Sequence, residues 1–244
     1  MTKWRALVTR PRAEAETLAV LLAARCIAAV IEPMMEIVDA GNGLPNLCGV
    51  QAVLLTSANG VRALAGASDE RGLRVFAVGD ATARAARNAG FADVESADGD
   101  VGDLATMVGR RLRPADGRLL HVAGSKVAGD LAALLAADGF MVDRAVLYEA
   151  RAATALSEPT ARLIAAGDID LALFFSPRSA AIFARLVDEA GAASGLAATT
   201  AVSISRAANA PLAGLPFRQR VVADAPTQTA LLAAIDRLLV GQPA

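Results

Sequence analysis

Histidine and cysteine are scarce in this chain of 244 residues, which has one histidine, His121, and two cysteines, Cys26 and Cys48. The cysteines do not have the paired spacing of a metal site, and two of them do not make a disulfide framework. A Ser-His-Asp triad and a His/Cys metal site are therefore nearly excluded. The sequence predicts a function without a His/Cys metal site and without the usual nucleophile and base, in a reducing cytoplasm.

A basic excess and long apolar runs are also missing. The formal net charge of −1 argues against a nucleic-acid partner, because nucleic-acid-binding domains carry a strong positive excess. The most apolar stretch, LAVLLAARCIAAVI (18–31), is interrupted by Arg25, and no run reaches the roughly 18 residues of a membrane span. The N-terminal residues MTKWRALVTRPR are basic but precede no signal-peptide apolar region, so we expect a cytoplasmic location and no membrane partner.

Short apolar runs alternate with helical patterns along the whole chain, which is typical of a parallel α/β architecture. The runs AVLLT (52–56) and LALFF (171–175) are apolar at every position except the closing Thr56, as expected of strands that are buried on both faces. Among the predicted helices, one covers residues 126–137. The sequence thus predicts an α/β fold with parallel sheets.

The chain contains an internal repeat. LLTSANGVRAL (54–64) matches LFFSPRSAAIF (173–183), and residues 17–37 match residues 130–150. The repeat predicts two similar lobes, with crossings near residues 36–43 and after Tyr148. The pattern alone leaves two pairings of the repeated pieces open, either in chain order or with one lobe continuous and the other divided between the two chain ends.

Hydroxyl residues follow the predicted strands at four helix starts, at Ser57, Thr82, Ser176 and Thr227. Capping of the helix is by itself a sufficient reason for such residues. Helix N-termini at the carboxyl ends of parallel strands also bind anions. If two lobes face each other, these four residues would line one cleft that binds a ligand with several negative groups.

Cationic residues stand at comparable places, with Arg10 and Arg12 after the first strand and Lys126 and Arg178 at later strand ends. They are candidates for pairing with carboxylates, although each could equally be a solvated surface charge. Tyr148, the only tyrosine, closes a strand at a crossing between lobes and could donate a hydrogen bond there or serve the fold alone.

Other motifs point to no chemistry. AGSKVAGD (123–130) has neither the spacing of a dinucleotide-binding fingerprint nor that of a P-loop. DGDVGD (98–103) lacks most ligands of a calcium loop, so we interpret it as a helix cap or turn. His121 lies in an apolar run and is interpreted as a core or strand-end histidine.

Six stretches, taken in order, resemble the uroporphyrinogen-III synthase family. They are LVTRPRAEAETLAVLL (7–22), LLTSANGVRAL (54–64), VFAVGDATARAARNAG (75–90), VDRAVLYEA (142–150), LFFSPRSAAIF (173–183) and ADAPTQTALLAAI (223–235). Each is weak by itself, but the ordered set covers nearly the whole chain.

The resemblance implies two flavodoxin-like α/β lobes joined by a two-stranded linker, with a cleft between them. One lobe would contain residues 1–37 and 151–244, and the other residues 38–150. The implied substrate is hydroxymethylbilane, a linear tetrapyrrole with eight carboxylates. The implied reaction closes it to uroporphyrinogen III, with loss of water and inversion of the last pyrrole ring, and needs no metal or organic cofactor.

The resemblance also implies residue roles. Tyr148 matches the family's tyrosine near the leaving hydroxyl, and Ser57, Thr82, Ser176 and Thr227 match positions of substrate contact. A monomer is expected, with at most transient contact with the upstream enzyme that makes the bilane. One departure is AVSISRAANAPLAG (201–214), where Ser203 replaces Gly79 of the first lobe and Ala207 falls near the position of Thr82. The alternative is a non-catalytic two-lobed protein that binds an anion or a tetrapyrrole, or a regulatory relative, which this departure keeps open.

Overall fold

The computed structural model describes residues 4–126 and 129–240, and over these ranges the fold is α/β. The strands are β1 (Trp4–Val8), β2 (Ile27–Ile31), β3 (Met35–Asp39), β4 (Val50–Leu55), β5 (Val75–Ala77), β6 (Val94–Ser96), β7 (Arg118–Gly124), β8 (Val142–Ala152), β9 (Leu171–Phe174), β10 (Thr200–Ser203) and β11 (Gln219–Val222). The helices are α1 (Arg12–Ala23), α2 (Ala58–Ala67), α3 (Asp80–Asn88), α4 (Val101–Arg111), α5 (Leu131–Ala137), α6 (Glu158–Ala165), α7 (Pro177–Glu189), α8 (Arg206–Asn209) and α9 (Gln228–Val240). Short 3-10 turns cover Pro114–Asp116, Ala193–Ala198 and Ala210–Leu212.

The chain divides into two compact units. One is made of the two chain ends, Met1–Glu36 and Arg151–Ala244, and is called the split unit. The other, Ile37–Ala150, is called the continuous unit. The chain crosses from one unit to the other along β3 and β8, which are neighbours in one sheet. Hydrogen bonds from Ala40 to Leu147 and from Ala153 to Met34 show that these two segments run in opposite directions.

The sheet of the split unit has the order β11-β10-β9-β1-β2, and its neighbouring strands are parallel. Both faces are covered by apolar side chains. Phe174 and Phe183 lie in the core on one face, and Leu18 and Ile235 lie in the core on the other. This two-sided burial explains why β9 is apolar at all four positions.

Glu32 joins the two chain segments of the split unit. It follows β2, is 8% exposed, and accepts hydrogen bonds from the Ser157 amide (2.8 Å), the Ser157 hydroxyl (2.6 Å) and the Thr160 hydroxyl (2.7 Å). Ser157 and Thr160 begin α6, so the carboxylate lies where a helix N-terminus favours negative charge.

The continuous unit has the sheet order β3-β8-β7-β4-β5-β6. Its strands from β4 to β8 pair in parallel. Leu55 and Leu120 pack on one face of this sheet, and Leu54 and Phe76 pack on the other. The prediction of an α/β fold is confirmed, with two sheets in which parallel pairing dominates.

The two sheets share one spatial order. In the split unit, the strands taken in chain order are arranged 2-1-3-4-5, which is the flavodoxin-like order. In the continuous unit, the strands in the same order of places are β8-β7-β4-β5-β6. The first of these strands in the chain, β4, therefore occupies the place that β9 has in the split unit. The strand order therefore reverses between β9 and β1 in the split unit and between β4 and β7 in the continuous unit.

Three elements differ from the sequence prediction. β3 and β6 were not predicted, and α5 begins at Leu131 instead of at residue 126. Gly129 has φ +77°, which a right-handed helix cannot include, and Asp130 caps α5 by accepting from the Ala133 amide at 3.0 Å. Within the described ranges, no helix is long and apolar enough to cross a bilayer.

Candidate functional site

Parallel α/β sheets bind ligands beyond the carboxyl ends of their strands, where the strand order reverses. In the continuous unit this point lies between β4 and β7, which are followed by Ser57 and Ser125. In the split unit it lies between β9 and β1, which are followed by Ser176 and Arg10. Four of the predicted site residues or their direct neighbours thus lie at reversal points.

Ser57 and Tyr148 meet at the reversal point of the continuous unit. Ser57 is the N-cap of α2, and its Oγ accepts the Gly60 amide at 3.1 Å. The same Oγ lies 2.8 Å from the phenol oxygen of Tyr148, with either oxygen able to donate. Two residues that are 91 positions apart in the chain therefore share one hydrogen bond at a strand end.

Gly124, the last residue of β7, lies against the Tyr148 ring. A Cβ atom placed on Gly124 would be 2.8 Å from Cε2 and 2.9 Å from Cζ of that ring. Beside it, the Ser125 amide donates to the Tyr148 carbonyl at 3.0 Å. Gly124 could not be identified from the sequence, because only the pairing of β7 with β8 reveals its contact with the tyrosine.

Thr82 and Lys126 are the other predicted residues of this unit. Thr82 is in the first turn of α3, is 6% exposed, and follows the N-cap Gly79, which offers no side-chain oxygen to the helix start. Lys126 is exposed in the loop after β7, next to residues 127 and 128, which lie outside the described ranges. The sequence had predicted Lys126 at the start of a helix, but the structure places it in a loop.

His121 lies inside β7, as predicted, and is 3% exposed. Burial, followed by the positive charge of Arg144, lowers the pKa of His121 from 6.5 to about 4. Its Nε2 atom has no hydrogen-bond partner among the described residues. The imidazole is consequently neutral near pH 7 and belongs to the interior.

Arg10 is held in place at the reversal point of the split unit. Its guanidinium donates to the Gln228 side-chain oxygen at 2.8 Å and lies 4.4 Å from the centre of the Phe175 ring. Phe175 directly precedes Ser176, and Gln228 directly follows Thr227. The structure thus brings the segments of three predicted site residues together, through two partners that the sequence analysis missed.

Ser176 and Thr227 both act as helix caps. Ser176 accepts the Ser179 amide at 3.1 Å and donates to the Ser179 hydroxyl at 3.0 Å. Thr227 accepts the Ala230 amide at 3.2 Å and is exposed. Arg12 and Arg178 are exposed in the first turns of α1 and α7, the helices that follow β1 and β9 at the same reversal point.

The structure corrects the sequence alignment around Ser203, which had matched Ser203 with Gly79 and Ala207 with Thr82. Ser203 is fully buried at the end of β10, and Ser205 caps α8 by accepting the Ala208 amide at 3.2 Å. Gly79 and Ser205 are the N-caps of α3 and α8, so these two residues correspond. Thr82 and Ala208 also correspond, because each lies three residues after its cap. The hydroxyl at this place in the split unit belongs to the cap itself.

An open surface cavity of about 560 Å³ lies elsewhere, along α4. It is lined by Ser96, Ala97, Asp103, Thr106, Met107, Arg110 and Arg111. None of these is a predicted site residue. The described ranges contain no group of three or more His, Cys, Asp or Glu residues that could hold a metal ion.

A family model and two solved structures are similar to this chain. A family model described as uroporphyrinogen-III synthase HemD matches residues 16–233. The chain is similar to the crystal structure of uroporphyrinogen-III synthetase from Helicobacter pylori, with a TM-score of 0.59, 15% identity, and coverage of 96% of this chain and 99% of that one. It is also similar to a mutant uroporphyrinogen III synthase from Thermus thermophilus, with a TM-score of 0.51, 17% identity, and coverage of 98% and 100%. A comparison with curated protein sequences gave no match.

Proposed function

The chain belongs to the uroporphyrinogen-III synthase family, and from this membership we propose how its residues carry out the reaction of that family. Enzymes of this family are cofactor-independent lyases. They close linear hydroxymethylbilane to uroporphyrinogen III, with loss of water and inversion of the last pyrrole ring. The observation that carries our assignment of roles is the 2.8 Å contact between Ser57 and the phenol of Tyr148.

Tyr148 donates its proton to the hydroxyl group of the hydroxymethyl carbon. The carbon–oxygen bond breaks, its electron pair leaves with the oxygen as water, and the pyrrole nitrogen supplies electrons to the carbon that remains. A carbon of the terminal pyrrole then attacks this carbon, and a spiro intermediate allows the ring to invert before the macrocycle closes. The proton that the ring system releases restores the phenol, so that the net change is the loss of one water molecule.

Because hydroxymethylpyrroles ionise readily, a weak acid is sufficient for the first step. The larger task is orientation, since the uncatalysed reaction gives the uninverted isomer. Holding the reacting atoms in one geometry can lower the activation free energy by on the order of 7–11 kcal/mol. Fixed dipoles of the backbone and side chains at the strand ends can also stabilise charge on the substrate. This charge is the positive charge that develops on the ionised pyrrole and the negative charge of the carboxylates.

The carboxylates of the substrate require cations and hydrogen-bond donors. In the split unit we assign these contacts to Arg10, Arg12, Arg178 and Thr227, and to Ser176, whose hydroxyl hydrogen would turn from the Ser179 hydroxyl to a carboxylate. Arg10 is the central residue of this set, because Phe175 and Gln228 fix its guanidinium at the strand end. A planar guanidinium can donate two parallel hydrogen bonds to one carboxylate.

In the continuous unit we assign carboxylate contacts to Thr82 and Lys126 and a contact near the reacting carbon to Ser57. Thr82 lies at the start of α3, where the first amide groups have no side-chain cap from Gly79. Such a helix start favours negative charge. Lys126 is exposed beside the strand end that contains Gly124.

We further propose that the protein acts in the cytoplasm as a monomer. Because hydroxymethylbilane closes spontaneously, rapid delivery from the upstream bilane-forming enzyme is an advantage, and we propose a transient contact between the two enzymes. Sedimentation of the purified chain at several concentrations tests the monomer. A mass that rises with the concentration of the protein would contradict it.

The proposed function is tested by the rate of ring closure. The upstream enzyme generates hydroxymethylbilane in the cuvette, and uroporphyrinogen formation is measured with the native chain and with the heat-denatured chain. The native chain should accelerate closure well above the spontaneous rate. Equal rates with the two samples would contradict the proposal.

A further inference from the structure

Gly124 stands out because a side chain there would collide with the ring of Tyr148, the only tyrosine. We propose that Gly124 is a positioning residue for Tyr148, since the empty space at its Cα lets the phenol ring lie against the end of β7, where Ser57 holds the hydroxyl. This inference rests on the proposed role of Tyr148 in the reaction.

The conformation of Gly124 does not itself require glycine. Gly124 is not among the residues with positive φ, so an alanine could adopt its backbone angles. The obstacle is the tyrosine ring, whose Cε2, Cζ and Oη atoms would lie 2.8, 2.9 and 3.3 Å from an added Cβ. Two carbon atoms in contact are ordinarily about 3.5–4.0 Å apart.

The backbone around this contact is fixed on both strands. The pairing of β7 with β8 shifts between Ala123 and Gly124, and such an irregularity changes the direction of the following side chain. The Ser125 amide donates to the Tyr148 carbonyl at 3.0 Å, and the Arg144 guanidinium donates to the Gly124 carbonyl at 2.8 Å. An added methyl group therefore displaces the end of the ring, which is the part that can move.

Ser57 completes the arrangement. Its Oγ already accepts the Gly60 amide, which leaves one lone pair and the O–H hydrogen for the phenol. When the Ser57 hydroxyl donates to Tyr148 Oη, the tyrosine hydrogen remains available for the leaving hydroxyl of the substrate. A displaced ring would lose the contact with Ser57, and its O–H hydrogen would no longer be directed at the substrate hydroxyl.

The experiment compares Gly124→Ala with Gly66→Ala. Gly66 is in α2 of the same unit, and a Cβ there meets nothing within 4 Å. Tyr148 is the only tyrosine, so the Raman Fermi doublet of the phenol reports on this residue alone. The intensity ratio of the doublet depends on hydrogen bonding of the phenol. It should change in Gly124→Ala and in Ser57→Ala and should be unchanged in Gly66→Ala.

Turnover provides the second readout. The kcat of Gly124→Ala should fall to about the level of Tyr148→Phe, and the double variant should be no slower than either single variant, because both changes remove the same contribution. An unchanged doublet in Gly124→Ala would overturn the proposal. The proposal would also be overturned if Gly124→Ala lowered kcat by the same factor in Tyr148→Phe as in the wild type.

Two controls keep the outcomes distinct. If the wild-type chain fails to form the type III isomer, the proposed function fails, whereas the doublet still tests the positioning. If Gly124→Ala does not fold, it is combined with Tyr148→Ala, which removes the opposing ring. The double variant should then be as stable as Tyr148→Ala alone, and a further loss of stability would overturn the proposal.

Discussion

One hydroxyl group, that of Tyr148, has a fixed partner at a strand end where a ligand is expected. Its distance of 2.8 Å to Ser57 is a full hydrogen bond, and its ring occupies the space that a Cβ atom on Gly124 would need. These contacts fix the position of the phenol oxygen. At the scale of residues, the proposed reaction therefore depends mainly on a single proton donor.

Tyr148→Phe removes only this donor. We expect kcat to fall about 100-fold, near the lower end of the usual effect of a general acid. The melting temperature should change little, because one neutral hydrogen bond contributes about 1 kcal/mol. Steady-state kinetics and thermal unfolding measure the two effects, and an unaltered kcat would remove Tyr148 from the mechanism.

Arg10→Ala removes a guanidinium held by Gln228 and Phe175. Hydrogen bonds to charged groups contribute about 1.5–3 kcal/mol, so KM should rise roughly 10- to 100-fold with a smaller change in kcat. Arg185→Ala is the matched control, because Arg185 pairs with Glu189 on the exposed side of α7 in the same unit. If both variants showed the same KM, Arg10 would lie outside the site.

His121 makes stability depend on pH. Its pKa is about 4 in the folded chain, against 6.5 for an unperturbed histidine, so the unfolded chain binds more protons between these values. The free energy of unfolding should therefore fall as the pH decreases from 6.5 to about 4, by at most about 3 kcal/mol. Urea unfolding at several pH values should show a smaller decrease for His121→Asn, and parallel curves for the two proteins would refute this assignment.

The residues at the strand ends were partly predictable. Ser57, Ser176 and Arg10 could be found because a cap or a cation directly after an apolar run is a local signal. Phe175 and Gln228 could not be found, since their importance arises from contact with Arg10 between distant parts of the chain. Their positions next to Ser176 and Thr227 were the only available hint.

Helix caps contribute to stability at the scale of elements, whether or not a ligand binds near them. Ser176 caps α7, and Asp100 caps α4 in a capping box with Asp103. Replacing either cap with alanine should lower the free energy of unfolding by about 1 kcal/mol. Only Ser176→Ala should also raise KM, so a normal KM in both variants would reduce Ser176 to a structural role.

The elements that the sequence did not predict share a physical cause. β6 has three half-buried residues at a sheet edge, and it is extended because β5 pairs with it. β3 lies beside β8 only because the chain crosses between units there. In contrast, β4 and β9 are apolar over most or all of their length, and their burial on both faces made them predictable from local composition.

At the scale of the whole molecule, the same strand order occurs twice with different chain entry points. The repeat in the sequence predicted two similar lobes but could not decide which pieces pair, since local patterns carry no information about pairing between chain ends. We propose that the two compact units are these lobes. Their bounds differ by one residue from the predicted division at residues 37 and 38.

A fragment of residues 35–152 should fold independently. It contains the six strands of one sheet and the apolar cores on both of its faces. It contains Tyr148 but not Trp4, the only tryptophan, so tyrosine emission can be followed without interference. We expect a cooperative unfolding transition in urea. A gradual change with no transition would show that this unit depends on the rest of the chain.

The central claim is that this chain inverts the last ring while it closes the macrocycle. The most direct measurement supplies hydroxymethylbilane, freshly made by the upstream enzyme, oxidises the products, and separates the type I and type III porphyrins by chromatography. The account predicts mainly the type III isomer, formed faster than in the sample without the protein. Only the type I isomer, formed at the uncatalysed rate, would contradict it.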